Sequence, residues 1–169
     1  MNQDSEQSSV RPKRLVKAGR PALPYRVPRY RVALVCEDSG SPLSMPIKTS
    51  TEAAAVLRPC FDSLDREQFV VCGLDAKHHL IGINIVSIGS LSLSIVHPRE
   101  VLKPLILMNA AAWLCAHNHP SGDVMPSRED LALTTRLRAG AELLGIVLLD
   151  HLILGESYYS FADQGWPGG

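Results

Sequence analysis

Apolar positions recur along this chain with two periods, and the changes between them mark out its elements. Tyr30–Cys36 (YRVALVC) is apolar and β-prone and predicts a strand; Glu37–Pro46, with Gly40, Pro42 and Pro46, predicts a loop. Ser50 and Thr51 ahead of Glu52-Ala-Ala-Ala-Val-Leu predict a capped helix to about Leu64, interrupted at Pro59. Gln68–Leu74 (QFVVCGL), a turn at Asp75-Ala76-Lys77-His78 and the run Leu80–Ile88 predict a hairpin. Gly89-Ser90 turns the chain again, and Leu91–Val96 alternates apolar residues with serine, a period of two. Pro98 stands at a favoured first-turn position and opens a helix with the stripe Val101, Leu105, Met108 and Ala112. The apolar run Ala111–Ala116 predicts a strand ending in His117-Asn118-His119. After a Pro/Gly loop, a helix is expected from about Arg128 to Leu144, with Leu133, Leu137, Ala141 and Leu144 on one side and Gly145 closing it. Ile146–Leu154 and Tyr158–Phe161 complete the strands. Hairpin strands followed by helix–strand alternation define an α/β fold, a mixed β-sheet flanked by helices.

A chain of 169 residues, 46% hydrophobic and 20% charged, is long and apolar enough for one ordinary domain with a core. Residues 1–28 do not share its periodicity: they are polar, basic and carry Pro12, Pro21, Pro24 and Pro28, so the division expected is a basic, disordered tail (1–28) and a folded domain (29–169). Residues 1–31 hold eight Lys/Arg against Asp4 and Glu6, a net of +6, which leaves −6 on the remainder of a chain of formal net charge zero. A basic tail on an acidic domain suits weak, non-specific nucleic-acid contact; a merely solvated leader is the plainer alternative. Cys36, Cys60, Cys72 and Cys115 form no CxxC pair, which argues against a thiolate zinc site. No apolar run reaches membrane-spanning length and no signal-type apolar core is present, so a cytoplasmic protein without a membrane partner is expected.

The chemistry concentrates in Trp113–Asp130 (WLCAHNHPSGDVMPSRED). In a strand, residues i and i+2 share a face, so His117 and His119 aim both imidazoles at one point, and Asp130 at the start of the next helix is near enough to add an oxygen. Two imidazoles and a carboxylate suit a zinc ion with an open fourth position. Ser127-x-x-Asp130 before a helix also reads as a capping box, and one oxygen of Asp130 can serve each purpose. Asp150-His151 lies within an apolar strand pattern, where a buried acid and imidazole need partners. The pair either supports the site or forms a satisfied structural unit, the simpler expectation. His78 and His79 read as surface turn residues, and Asp123 as a loop acid.

His-x-His, seven residues, then Ser-x-x-Asp resembles the motif of the JAB/MPN (JAMM) metallohydrolases. HNHPSGD, PS-x-x-D and LLDHLILG resemble the RadC-type branch, over roughly residues 45–166. The resemblance implies a deaminase-like α/β sandwich, one Zn2+ per chain on His117, His119 and Asp130, and Ser127 placed to hydrogen-bond the zinc-bound water or the developing oxyanion. It implies Glu67, in Arg66-Glu67-Gln68-Phe69, as the general base. The function implied is a zinc metallopeptidase or isopeptidase whose peptide or protein substrate the sequence does not name. Alternatives are a nucleic-acid-associated, DNA-repair-linked module with a structural or idle zinc site, or a metal-dependent nuclease. The H-x-E and P-C-x-x-C signature of the deaminases does not occur. The family's helix-hairpin-helix segment is not expected in the short, proline-rich residues 1–30. His97 and Arg99 match a family motif with no chemistry assigned beyond starting a helix.

One outcome is expected of the tail. Deleting residues 1–28 should leave the melting temperature nearly unchanged, because no apolar period is available there to join a core. Calorimetry of the two forms measures this, and a clear loss of stability would contradict the division.

Overall fold

The computed structural model describes residues 31–37, 45–89 and 96–168. The basic segment 1–28, and the alternating run Leu91–Val96 apart from its last residue, lie outside the described residues. Val32–Gly169 forms one compact unit. Its elements are α1 (Ser50–Leu57), a 3-10 turn (Arg58–Phe61), β1 (Gln68–Leu74), β2 (Leu80–Ile88), α2 (Pro98–Leu107), β3 (Ala112–Asn118), α3 (Arg128–Leu143), β4 (Val147–Leu154), β5 (Tyr158–Ser160) and α4 (Phe161–Gln164). Among the described residues no helix is long and apolar enough to cross a membrane.

The five strands form one mixed sheet in the order β2-β1-β3-β4-β5. β3 and β4 are parallel, joined by α3, and every other neighbouring pair is antiparallel. Both faces of the centre are covered, so β1 and β3 are buried at every position, the pattern of continuous apolar strands. On one face Phe69, Val71, Trp113 and Cys115 pack with Val101 and Leu105 of α2 and Leu133, Leu137 and Ala141 of α3. On the other, Val70, Cys72, Leu114, Ala116 and Leu152 pack with Ala53, Ala54 and Leu57 of α1. The expected α/β class, a mixed sheet flanked by helices, is the one observed.

Several element ends differ from expectation. Of the expected strand Tyr30–Cys36, Tyr30 lies outside the described residues and Arg31–Cys36 is not a strand: among the described residues no strand pairs with it, and Val32 and Val35 are largely exposed. α1 is capped by Thr49 rather than by Ser50 or Thr51. The Thr49 hydroxyl accepts from Glu52 N and the Glu52 carboxylate accepts from Thr49 N, a complete capping box. The helix tightens at Arg58, one residue before the ring of Pro59, and does not run on to Leu64. α2 stops at Leu107, so Ala112, expected on its stripe, belongs to β3. Leu144 is half exposed as the C-cap of α3 instead of facing the core, and Gly145 follows with φ +69°. Phe161 does not extend the last strand but begins α4, capped by the Ser160 hydroxyl.

Arg58 ties the first helix to the last hairpin. Its guanidinium donates to the carbonyls of Gly155 (2.9 Å) and Ser157 (2.9 Å), bracing the β4–β5 turn from the α1 side.

Candidate metal centre

Strand register sets the site. Phe69 of β1 pairs with His117 of β3, and Ile153 of β4 with His117 from the other side. His117 therefore emerges on the face that carries α3, stacked on the Phe69 ring at 6.2 Å. His119 follows two residues later on the same side, just past the strand end. α3 starts below them, and its third residue, Asp130, is buried.

The three side chains meet. His117 Nε2 lies 3.1 Å from His119 Nε2 and 3.2 Å from Asp130 Oδ1, and His119 Nε2 lies 3.5 Å from Asp130 Oδ2. One ligand atom from each falls within 4.8 Å of the others, the only such group of three or more metal-ligating side chains among the described residues. The side chains of His117 and Asp130 are 0% and 3% exposed and that of His119 14%, so the cluster opens toward solvent on the His119 side. Two imidazole nitrogens and a carboxylate oxygen converging with one open side fit a divalent ion such as zinc.

Each ligand is oriented by its other atoms. His119 Nδ1 donates to the carbonyl of Asp123 (2.7 Å); a carbonyl only accepts, so Nδ1 carries the proton and Nε2 presents a lone pair. Asp130 divides its work. Oδ2 accepts from Ser127 N (2.8 Å) and from the Ser127 hydroxyl (2.6 Å), while Asp130 N donates to Ser127 Oγ (3.1 Å). The capping box thus engages Oδ2 and leaves Oδ1 facing His117. Burial alone would raise the Asp130 carboxyl, but the His117 ring and the Ser127 hydroxyl and amide outweigh it and hold the acid well below its ordinary range. Burial lowers His117 despite Asp130 beside it. A neutral imidazole and an ionised carboxylate are the forms that bind metal, and both shifts run in that direction.

Glu67 is half-buried immediately before β1. Strand alternation puts it on the side of Phe69, and its charge reaches the His117 ring. Its backbone is held on three sides: Asn118 Oδ1 accepts from Gln68 N (2.8 Å), Asn118 Nδ2 donates to the Arg66 carbonyl (3.1 Å), and Gly89 N donates to the Glu67 carbonyl (2.8 Å). The middle residue of His-Asn-His, turned away from its neighbours, thus fixes the segment that carries the carboxylate. Asn118 was not among the residues singled out by sequence, though a polar residue at a buried strand end is a signal in itself.

The remaining candidates separate. Asp150 and His151 are not a pair. Asp150 turns to the α1 face, where Ser160 Oγ (2.6 Å) and Ala162 N (2.9 Å) donate to it, and burial raises its carboxyl. His151 turns to the α3 face, where its Nε2 lies 2.9 Å from His117 Nδ1 and its Nδ1 2.7 Å from the hydroxyl of Thr134. Asp150 thus stands apart from the His117, His119 and Asp130 group while His151 touches it, and Thr134 carries no sequence signal beyond its place on α3. Asp123 acts through its backbone carbonyl on His119, while its side chain accepts from Met125 N. His78 and His79 are half-buried turn residues, His78 at φ +65° and His79 Nδ1 3.0 Å from Asp75. His97 caps α2 by accepting from Arg99 N.

A mixed sheet between helices, with two histidines and an aspartate converging at the end of its central strand, defines an α/β domain with a candidate metal site. The chain belongs to the RadC-like JAB domain family, whose profile matches residues 47–166. It is similar to a UPF0758 protein of Rubrobacter xylanophilus, 44% identical over 131 residues, covering 78% of this chain and 56% of the relative. It is also similar to one of Methanosarcina acetivorans, 46% identical over 113 residues (66% and 49%). A third, from Syntrophotalea carbinolica, is 54% identical over 101 residues (59% and 44%). The chain spans about half the length of the curated relatives it matches. The His117, His119 and Asp130 group lies within the residues that the family profile matches.

Two variants test the geometry. The loop after His119 rests on the β4–β5 turn through the Glu156 N to Gly122 carbonyl bond, and a Cβ on Gly155 would stand 2.4 Å from the Gly122 carbonyl oxygen. Gly155→Ala should displace that loop and weaken metal binding about 10–100-fold, the usual cost of losing a ligand's support; competition against a chromophoric chelator reads it. Asp130→Asn keeps an oxygen for the cap, so the metal-free protein should lose less than the roughly 0.5–2 kcal/mol of a lost cap. The same change removes the anion facing His117, and metal should be largely lost by elemental analysis. Full metal retention by this variant would remove Asp130 from the site.

Proposed function

We propose that the domain is a zinc-dependent hydrolase of amide bonds, a metallopeptidase or isopeptidase. The observation that supports this most is the convergence of His117 Nε2, His119 Nε2 and Asp130 Oδ1 beside a half-buried glutamate. Zinc held by the three would supply a Lewis acid for the substrate carbonyl and would acidify a water molecule. Glu67 takes the proton of the attacking water and returns it to the leaving amine. Ser127, exposed at the rim, assists the tetrahedral oxyanion by turning its hydroxyl proton away from Asp130 Oδ2, which keeps its bond from Ser127 N. His119, on the open side, faces the approaching substrate. A nucleic-acid-associated role is favoured by a different observation, the +6 charge of residues 1–31; contact of that kind would be weak, non-specific and steeply salt-dependent.

The test is to measure zinc per chain and then incubate the zinc-loaded protein with peptide, isopeptide and nucleic-acid substrates beside Glu67→Gln. One zinc per chain is expected in both forms, with amide cleavage slowed about 10²–10⁴-fold in the variant. Undiminished turnover by Glu67→Gln would overturn its role. Cleavage of nucleic acid alone would replace the peptidase reading by that of a nuclease.

A further inference from the structure

The three converging atoms have two ways to be at peace. A metal ion can bind all three, or a proton on His117 Nε2 can bridge to His119 Nε2 and Asp130 Oδ1 and close the cluster as a hydrogen-bonded knot. Which one the protein favours depends on where the neutral His117 ring carries its single proton.

That choice is made behind the ring. Thr134 Oγ1 lies 2.6 Å from the carbonyl oxygen of Asp130, one turn earlier in α3. Two oxygens at that distance must share a proton, and only the hydroxyl can supply it. Thr134 Oγ1 therefore turns a lone pair to His151 Nδ1, 2.7 Å away, and His151 must donate there. Both ring nitrogens of His151 are engaged, so its Nε2 is left as an acceptor. The atom it faces, at 2.9 Å, is His117 Nδ1, which must be the protonated one. His151 is fully buried between the rings of Phe69 and Phe161, with no room to turn toward water.

We propose that His151 and Thr134 are positioning residues for the metal: together they hold His117 in its Nδ1–H form and thereby keep Nε2 free as a ligand. The direction of the chain runs from one backbone carbonyl through a hydroxyl and two imidazoles, and it excludes the closed knot. Metal-binding histidines are commonly oriented by a carboxylate or carbonyl behind the ring. His119 is held that way by Asp123; His117 is held by another histidine whose own direction has to be set, which is the part Thr134 plays. This inference rests on the metal reading of the site, and the experiment separates the two.

Long-range proton–nitrogen spectra of the full chain, metal-free and above the histidine titration range, report the tautomer of each ring, and a zinc titration reports affinity. Wild type should show His117, His119 and His151 all protonated on Nδ1. Thr134→Val keeps the shape but removes the hydroxyl. His151 and His117 should then both move to Nε2–H, and zinc affinity should fall about 10–100-fold. Thr134→Ser should restore tautomers and affinity together, which a purely packing role would not require. His151→Leu is the second route to the same result: His117 should move to Nε2–H and zinc should weaken by a similar factor. If both Thr134→Val and His151→Leu leave His117 on Nδ1–H with wild-type affinity, the proposal is overturned while the metal site stands. If wild type shows the expected tautomers but binds no zinc, the metal reading fails, and with it any part for the chain in holding a metal.

Discussion

Everything at the site depends on the alternation of one strand that has neighbours on both sides. β3 lies between β1 and β4, so a side chain leaving it has only two directions open. His117 and His119 take the α3 side with Phe69, and His151 joins them from β4. Asn118 and Asp150 take the opposite side and serve the backbone instead. A slip of one residue in the β1–β3 register would exchange these roles, turning Asn118 inward and His117 away. The eight-residue β4 and the cross-strand bonds of Asn118 oppose such a slip from both edges.

How far the site could be read from sequence depended on whether its contacts were local. The histidine pair was legible because i and i+2 is a property of any strand, and Ser127-x-x-Asp130 because a capping box spans a single turn. The strands Gln68–Leu74 and Leu80–Ile88 were legible for the same reason. The misses were tertiary. Val32–Cys36 has strand composition but no strand beside it among the described residues, and composition cannot supply a partner. Asp150 and His151 are adjacent in the chain and read naturally as a pair, yet neighbours in a strand face opposite ways. Thr134 gains its part only from a histidine 17 residues away in the chain.

One short segment answers to two demands. Residues Ser127–Asp130 open α3 and at the same time offer an oxygen to the metal position. The carboxylate can do both because its two oxygens point to different partners, and the helix start holds the side chain in one rotamer before any ion arrives. Such preorganisation lowers the ordering cost of binding. The Asp130 carboxylate thus owes its placement to secondary structure, whereas His119 leans on the loop at Gly122, whose positive φ lets the chain turn tightly over the β4–β5 hairpin.

The bond from His119 N to the Leu154 carbonyl, and that from Glu156 N to the Gly122 carbonyl, bear on synthesis. His117 and His119 leave the ribosome well before β4 and its turn, and His151 comes 34 residues after His117. Until those later residues emerge and dock, the His117 ring lacks its contact with His151, and the loop after His119 lacks its bonds to the last hairpin. On a nascent chain the candidate metal position would therefore be complete only once the last hairpin closes, since long-range contacts of this kind form late.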